Sequence, residues 1–583
     1  MAGPSSDLRV LSFVTIVSVL ASFCNCNNAE FPAKDQETSI KRLSNDVTPA
    51  SYIIRMNSTL YPVFISNGEV IIDLTVKSAA ENITLHARKL DIISVMILEK
   101  HRFKKYKIDR SDPTNVLDIV RKAGDIKSFT LDDKGGLLEI PALSPGEKGA
   151  SYFKSGDYLL YVRFNAMIGD LAQGYGLYRD SYEDGNQTRW LMSTVFETSR
   201  ARTAFPCFDE PSLKARFKII LGRTTDQVAL ANMPSIKSYP MDGTSDLMWE
   251  HFEETPPMST YLVAFFVGEL TPHTGRRGGL TVWTSPATHA AQVVWSVDEG
   301  YRALYHMQNV FDLDNPLPKT DLLAVPHFDV AGAVENWGLI TIREDILTVS
   351  NNTGQALRRR MTILAHELAH TWFGNSVTPS WWDEVWWSEG FASYYATRIV
   401  QKLRPDWDVI GWDSVDFLSE TWKLDSKPEV RYLAKPVQAN DELNFGNLVY
   451  CKGFLVARFA SWITQRAATF DKAVGKYLKE NQFGLFNDKK MWRTIEEAVV
   501  AKNNSIMDLP APLATIMRSW THQAGMPLIR VVRTNSGQII ITQERYTEKM
   551  KAGNETKPKK STDEKWWIPI ELELGIGARR TWF

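Results

Sequence analysis

The pentapeptide His366-Glu367-Leu368-Ala369-His370 carries two imidazoles four residues apart, with a carboxylate beside the first. On a helix, positions i and i+4 share a face, so both rings reach one ion and Glu367 stands next to them to handle a proton. Eighteen residues intervene before Glu389, in the segment Trp386-Trp-Ser-Glu-Gly-Phe-Ala392. Alone, Glu389 is as readily read as a carboxylate favoured by the dipole of a helix start. Beside the pentapeptide it completes a set. A catalytic zinc takes three protein ligands and keeps one position open for water. His366, His370 and Glu389 meet that count for one zinc ion. Such an ion brings the pKa of a bound water toward about 7. Glu367 is then placed to take the proton and pass it to a leaving group. Hydrolysis at a carbonyl is the chemistry implied.

These side chains need two facing helices. Met361-Thr-Ile-Leu-Ala365 leads into the pentapeptide with helical spacing, and Gly374 offers a stop. Asn375 to Trp382 reads as a Pro-containing loop that turns the chain back, placing Glu389 near the start of a second helix. Helical spacing recurs over Ala356 to Phe373, Gly390 to Leu403, Val449 to Gln465 and Asp471 to Glu480. Residues 40 to about 270 read as strands. Alternation is visible in Gly68 to Val76, Tyr158 to Phe164 and Tyr261 to Val267, with turn signals at Asp133 to Gly136 and Asp184-Gly185. Strands return at Leu528 to Val532, Gln538 to Gln543 and Trp566 to Leu574, with a Lys-rich loop from Thr547 to Lys565. The expected fold is multidomain α+β: a signal peptide over 1–26, an all-β domain over 40–271, a mainly helical catalytic domain over 272–523, and a partial β-sandwich over 524–583.

The composition fits several packed domains. The chain has 583 residues with 44% hydrophobic content, enough to bury several cores. Its 67 basic and 68 acidic residues nearly cancel, so nothing points to nucleic acid as a partner. At the N-terminus Arg9 precedes an apolar run from Val10 to Phe23, the form of a signal peptide with Cys24 or Cys26 at the cleavage site. That run is too short and hydroxylated for a membrane span. Cys207 and Cys451 remain, too few for a disulfide framework, and read as buried thiols. Sequons at Asn57, Asn82, Asn186, Asn351, Asn503 and Asn554 fit an exported glycoprotein, with secretory-pathway or cell-surface localisation.

The motifs together resemble the gluzincin aminopeptidases typified by aminopeptidase N. The zinc segment His366 to Asn375, Thr378-Pro-Ser-Trp-Trp382 and Glu389-Gly-Phe-Ala392 look like that family's signature. Gly332-Ala-Val-Glu-Asn336 is similar to its GAMEN exopeptidase motif. Phe205-Pro-Cys-Phe-Asp-Glu-Pro211, Tyr450-Cys-Lys-Gly453 and the opening Arg42 to Pro49 agree and come in the family's order. The resemblance implies a thermolysin-like catalytic domain and release of the N-terminal residue from peptides with a free amine. Glu335 and Glu197 would hold the substrate's ammonium. Gly332, Ala333 and Asn336 would bind its main chain, and the Tyr450 hydroxyl would stabilise the oxyanion.

Some positions depart from the family pattern: Val195 stands for a usual Gln, Val334 for Met, Glu384 for Asp, and Trp387-Ser388 for Leu-Asn. These bear on substrate preference more than on catalysis. Relatives also carry a complete third β-domain and a helical domain over the active-site cavity, of which this chain has only the beginning. Membrane association is not encoded in the residues present. Two other functions fit less of the sequence: a surface glycoprotein acting mainly as a binding receptor, and an epoxide-hydrolase-like relative.

Overall fold

The computed structural model describes residues 41–105, 113–143, 151–328, 332–349, 354–437, 446–464, 467–500, 509–548, 564–574 and 577–582. The signal-peptide segment and the sequons Asn351, Asn503 and Asn554 lie outside these. So does most of the Lys-rich stretch.

The N-terminal part is β-rich, as its alternation predicts. Strand Ile65–Val76 sits between Val47–Thr59 and Gly156–Met167, antiparallel to both, within an eight-stranded sheet. Val70, Ile72, Leu74 and Val76 point to one face and are fully buried. Each such side chain contributes about 1.5–3 kcal/mol relative to exposure. A four-stranded sheet, including Gln187–Thr194 and Phe265–Gly268, leads toward Glu197.

Two departures from the all-β expectation appear here. Helix Pro113–Ala123 lays Val116, Leu117 and Val120 against Ile71, Leu159 and Tyr161 on the other face of the large sheet. The stretch Tyr261 to Val267 is a strand only from Phe265; Thr260–Leu262 is a 3-10 turn. Hydroxyls explain the turn: Ser259 donates to the Pro211 carbonyl at 2.6 Å and Thr260 to Asp209 at 2.8 Å. These long-range bonds override the local alternation.

The following part is mainly helical but opens with a five-stranded sheet that periodicity missed. Its order is Thr271–Thr274, Leu280–Thr284, Thr320–Val325, Leu339–Arg343 and Ala333–Val334. Thr320–Val325 is parallel to both neighbours and buried at every position, so it shows no alternation. Ala333–Val334 is its edge strand, antiparallel to Thr341 and Ile342.

Helices then pack into one core. Gly354–Ala369 holds the first imidazole, Val385–Leu403 holds Glu389, and Gly446–Ile463 holds Tyr450. The last two helices meet backbone to backbone. A Cβ on Gly390 would lie 2.4 Å from the Gly453 carbonyl carbon, and one on Gly453 would lie 2.7 Å from the Trp386 carbonyl oxygen. Gly453→Ala must therefore part the helices carrying Glu389 and Tyr450. The expected cost is about 1–3 kcal/mol of overpacking, read as a lower denaturation midpoint. An unchanged midpoint would remove this contact as a spacer.

After Gly525 the strands form two separate two-stranded sheets, Pro527–Arg533 with Ile539–Arg545 and Pro569–Leu574 with Gly577–Trp582. Among the described residues they do not close into the expected partial sandwich. Trp566 is nevertheless buried, exchanging two hydrogen bonds with the Gln543 side chain. Cys207 and Cys451 are buried and form no disulfide among the described residues. No helix among the described residues is long and apolar enough to cross a membrane.

Candidate metal centre

Met361, Leu364, Ala365 and Leu368 recur at helical spacing and are buried, which fixes the face that Gly354–Ala369 turns to the core. The regular helix ends at Ala369, earlier than Phe373, yet the His370 N–H still donates to the His366 carbonyl at 3.2 Å. His370 therefore stays one turn above His366. The stop acts at Gly374, with φ 112°. Its carbonyl accepts from the Tyr261 hydroxyl at 3.0 Å and from the Thr378 hydroxyl. The chain turns back and Val385–Leu403 brings Glu389, 4% exposed, to the two rings.

The three donor atoms converge. His366 Nε2 lies 3.0 Å from His370 Nε2 and 3.3 Å from Glu389 Oε2, and His370 Nε2 lies 3.4 Å from the same oxygen. A tetrahedral zinc with bonds of about 2.0–2.1 Å has donor–donor edges of about 3.3 Å, so the trio fits one face of such a site. Outer partners hold the rings. His370 Nδ1 sits 2.9 Å from the Phe373 carbonyl, which can only accept, so Nδ1 carries a proton and Nε2 faces the trio. His366 Nδ1 lies 3.2 Å from the Ser393 hydroxyl.

Further carboxylates crowd the same space. Ligand atoms of Glu335, Glu367 and His370 lie within 4.8 Å of one another, as do those of Glu197, Glu335 and Glu389. None of these four glutamates has a Lys or Arg ion-pair partner among the described residues. Burial, with the nearby Glu335 and Glu389 charges, pushes the Glu197 carboxyl well up. Burial likewise raises Glu335 and Glu367 despite the opposing pull of His370. Burial lowers His366. It also pulls His370 down, but the carboxylates of Glu389, Glu335 and Glu367 outweigh it and hold the ring well above its usual value. Burial would raise Glu389 too, and the two imidazoles reverse this to about 2. The cluster thus gathers more carboxyl groups than its neighbours can balance as anions, and a cation among them would let them ionise.

The sequence-predicted residues otherwise gather as follows. Tyr450 sits over His366 with ring centroids 6.0 Å apart, and burial with the surrounding glutamates raises its hydroxyl well above its usual value. It therefore stays protonated and able to donate. Glu335 follows the edge strand. The Gly332 carbonyl is taken by the Arg343 N–H, Ala333 pairs with Ile342, and the Asn336 amide donates to Thr341 at 3.3 Å while its Oδ1 has no protein partner. Val195 and Val334 share one buried apolar cluster. Trp387 stacks on Phe486 at 4.3 Å, and Glu384 accepts from the Ser380 hydroxyl.

Sequence reasoning missed Asn375, Ser393, Tyr261 and Lys214 as supports. Ser393 stands four residues after Glu389, on the same helix face, which was the available signal. Asn375 donates from Nδ2 to the Glu335 carbonyl at 2.8 Å. It closes the quoted zinc segment, but nothing local marks that contact.

Comparison with known proteins follows the same outline. The Peptidase M1 N-terminal domain pattern matches residues 48–262, and the Peptidase family M1 domain pattern matches residues 295–520. Aminopeptidase 2 of Candida albicans is 30% identical across 97% of this chain and 57% of its own length. Aminopeptidase N of Bos taurus is 31% identical across 85% of this chain and 51% of its own length. Endoplasmic reticulum aminopeptidase 2 of Homo sapiens is 28% identical across 92% of this chain and 57% of its own length. The chain spans about half the length of the curated relatives it matches. With both domain patterns in series over the two parts of the fold that build the histidine–glutamate cluster, this chain belongs to peptidase family M1.

Proposed function

We propose that residues 40–271 and 272–523 form one zinc-dependent aminopeptidase unit, acting on peptides with a free N-terminus. The observation that carries this is the convergence of the His366, His370 and Glu389 donors beside three further carboxylates, those of Glu197, Glu335 and Glu367. His366, His370 and Glu389 would hold a zinc ion, which when bound would lower the pKa of water and polarise a carbonyl. Glu367, adjacent to His366, takes the proton of the attacking water and returns it to the departing amine nitrogen. Glu335 and Glu197 hold the substrate's ammonium by charge-assisted hydrogen bonds and so register the first peptide bond against Glu367. The edge strand Ala333–Val334 offers its unpaired side to an extended peptide main chain. The Tyr450 hydroxyl donates to the oxygen that gains charge.

Tyr450→Phe should lower kcat by about 10²–10³-fold with little change in KM, the cost of one oxyanion donor. Steady-state kinetics check this, and an unchanged kcat would remove Tyr450 from catalysis. The unit as a whole is tested with aminoacyl anilides, with and without a chelator and with N-acetylated counterparts. Release that the chelator stops and acetylation blocks supports the reading. Release from acetylated substrates as well would sink the amine-anchor assignment. The names of the relatives compared above support peptide substrates. Export rests on residues 1–26 and the exposed sequon residues Asn82 and Asn186. Sequencing the N-terminus of the secreted chain tests it.

A further inference from the structure

Lys214 lies three residues beyond Pro211, in the β-rich part, and the mechanism above does not use it. Its Nζ donates to the Ser376 carbonyl at 3.1 Å and to the Asn375 carbonyl at 3.4 Å. Those carbonyls form the turn just after the zinc segment. The same Asn375, 2% exposed, reaches the Glu335 carbonyl with its amide, and its N–H bonds the His370 carbonyl at 3.2 Å. One turn thus joins three parts: the β-rich part, the end of the metal helix and the loop bearing Glu335.

The setting of Lys214 is unusual for a lysine. Acidic neighbours on its own segment are committed elsewhere, Asp209 to Arg202 at 2.9 Å and Glu210 to Arg42 at 2.8 Å. The facing turn brings only carbonyls, and Lys214 has no ion pair among the described residues. Burial alone lowers its ammonium to about 7. A base held below its usual pKa of about 10.4 lowers folding stability while protonated. That loss is full below pH 7 and fades as pH rises toward the unfolded value.

We propose that Lys214 is a positioning residue that, through the Asn375 turn, sets where Glu335 stands for the substrate's ammonium. This rests on the amine-anchor reading of Glu335. Moving the turn shifts Glu335, while His366 and Glu389 stay on their helices and His370 stays held by its own contacts with the His366 and Phe373 carbonyls. The effect should therefore fall on amine recognition and spare the metal.

The test compares two inhibitors with one side chain, an amino-acid hydroxamate and its des-amino acyl hydroxamate, against full-length wild type, Lys214→Met and Lys214→Arg. Lys214→Met should weaken the amino hydroxamate roughly tenfold, the lower end of what losing a supporting partner costs. The des-amino compound and the zinc content should not change, and Lys214→Arg should restore most of the difference. Equal weakening of both compounds would reduce Lys214 to a structural peg and overturn the proposal, as would no change in either. Should Lys214→Met fail to fold, Asn375→Ser keeps both turn carbonyls and removes the reach to Glu335. It should show the same selective loss, and its absence would count against the relay. A wild type that does not distinguish the two compounds would instead remove the amine-anchor reading, and the inference with it.

Discussion

Glu367→Gln should lower kcat by about 10²–10⁴-fold and leave zinc bound, because general acid–base transfer is worth that much. Glutamine keeps the shape and the neutral hydrogen-bonding capacity but cannot accept a proton. The metal trio does not include Glu367, so metal content, read by emission spectroscopy on the purified protein, should match wild type. KM should change little, since Glu335 and Glu197 are untouched. The substitution also removes one member of a cluster of four glutamates that have no Lys or Arg ion-pair partner among the described residues. The variant should therefore be no less stable than wild type, and inactivity cannot be ascribed to unfolding. A variant retaining a tenth or more of wild-type kcat would mean that another group carries the proton.

His370→Ala should abolish metal retention and, with it, all chelator-sensitive turnover. His370 is 1% exposed, is one of three converging donors and is fixed from behind by the Phe373 carbonyl. Losing an outer partner of a ligand costs about 10–100-fold in metal affinity, and losing the ligand itself must cost more. The variant also leaves Glu389 with one imidazole where it had two, so its carboxyl, held at about 2 by both rings, should rise. Zinc titration of the stripped variant measures the first effect, with circular dichroism confirming a retained fold. Stoichiometric zinc in His370→Ala would refute the assigned ligand set.

The meeting of His366, His370 and Glu389 was legible because helix geometry is periodic. A spacing of four puts His366 and His370 on one face whatever surrounds them, and a second helix after a turn is a local expectation too. Glu335, Glu197 and Tyr450 were legible only through resemblance, since a glutamate in a loop or a tyrosine on a helix carries no period. Among the supports only Ser393, four residues after Glu389 on its helix, carried a local signal. Tyr261 meets Gly374 across 113 residues, and Lys214 meets Ser376 across 162. Such pairs obey tertiary packing alone. The five-stranded sheet escaped for a different reason: its central strand Thr320–Val325 is buried on both faces, which erases the alternation that exposes a strand to inspection. The short helix Pro113–Ala123 was likewise hidden inside a domain whose other segments alternate.

The β-rich part donates to carbonyls of the catalytic part at several points. Tyr261 serves Gly374, Lys214 serves Asn375 and Ser376, and Asn232 serves Trp337 at 2.8 Å. Chains are made from the N-terminus at about 5–20 residues per second, and domains tend to fold as they emerge. Every one of these donors leaves the ribosome before the carbonyl it will satisfy. The β-rich part, which carries Glu197, is thus finished first and serves as a template on which the part carrying Glu335, His366, His370 and Glu389 is laid down.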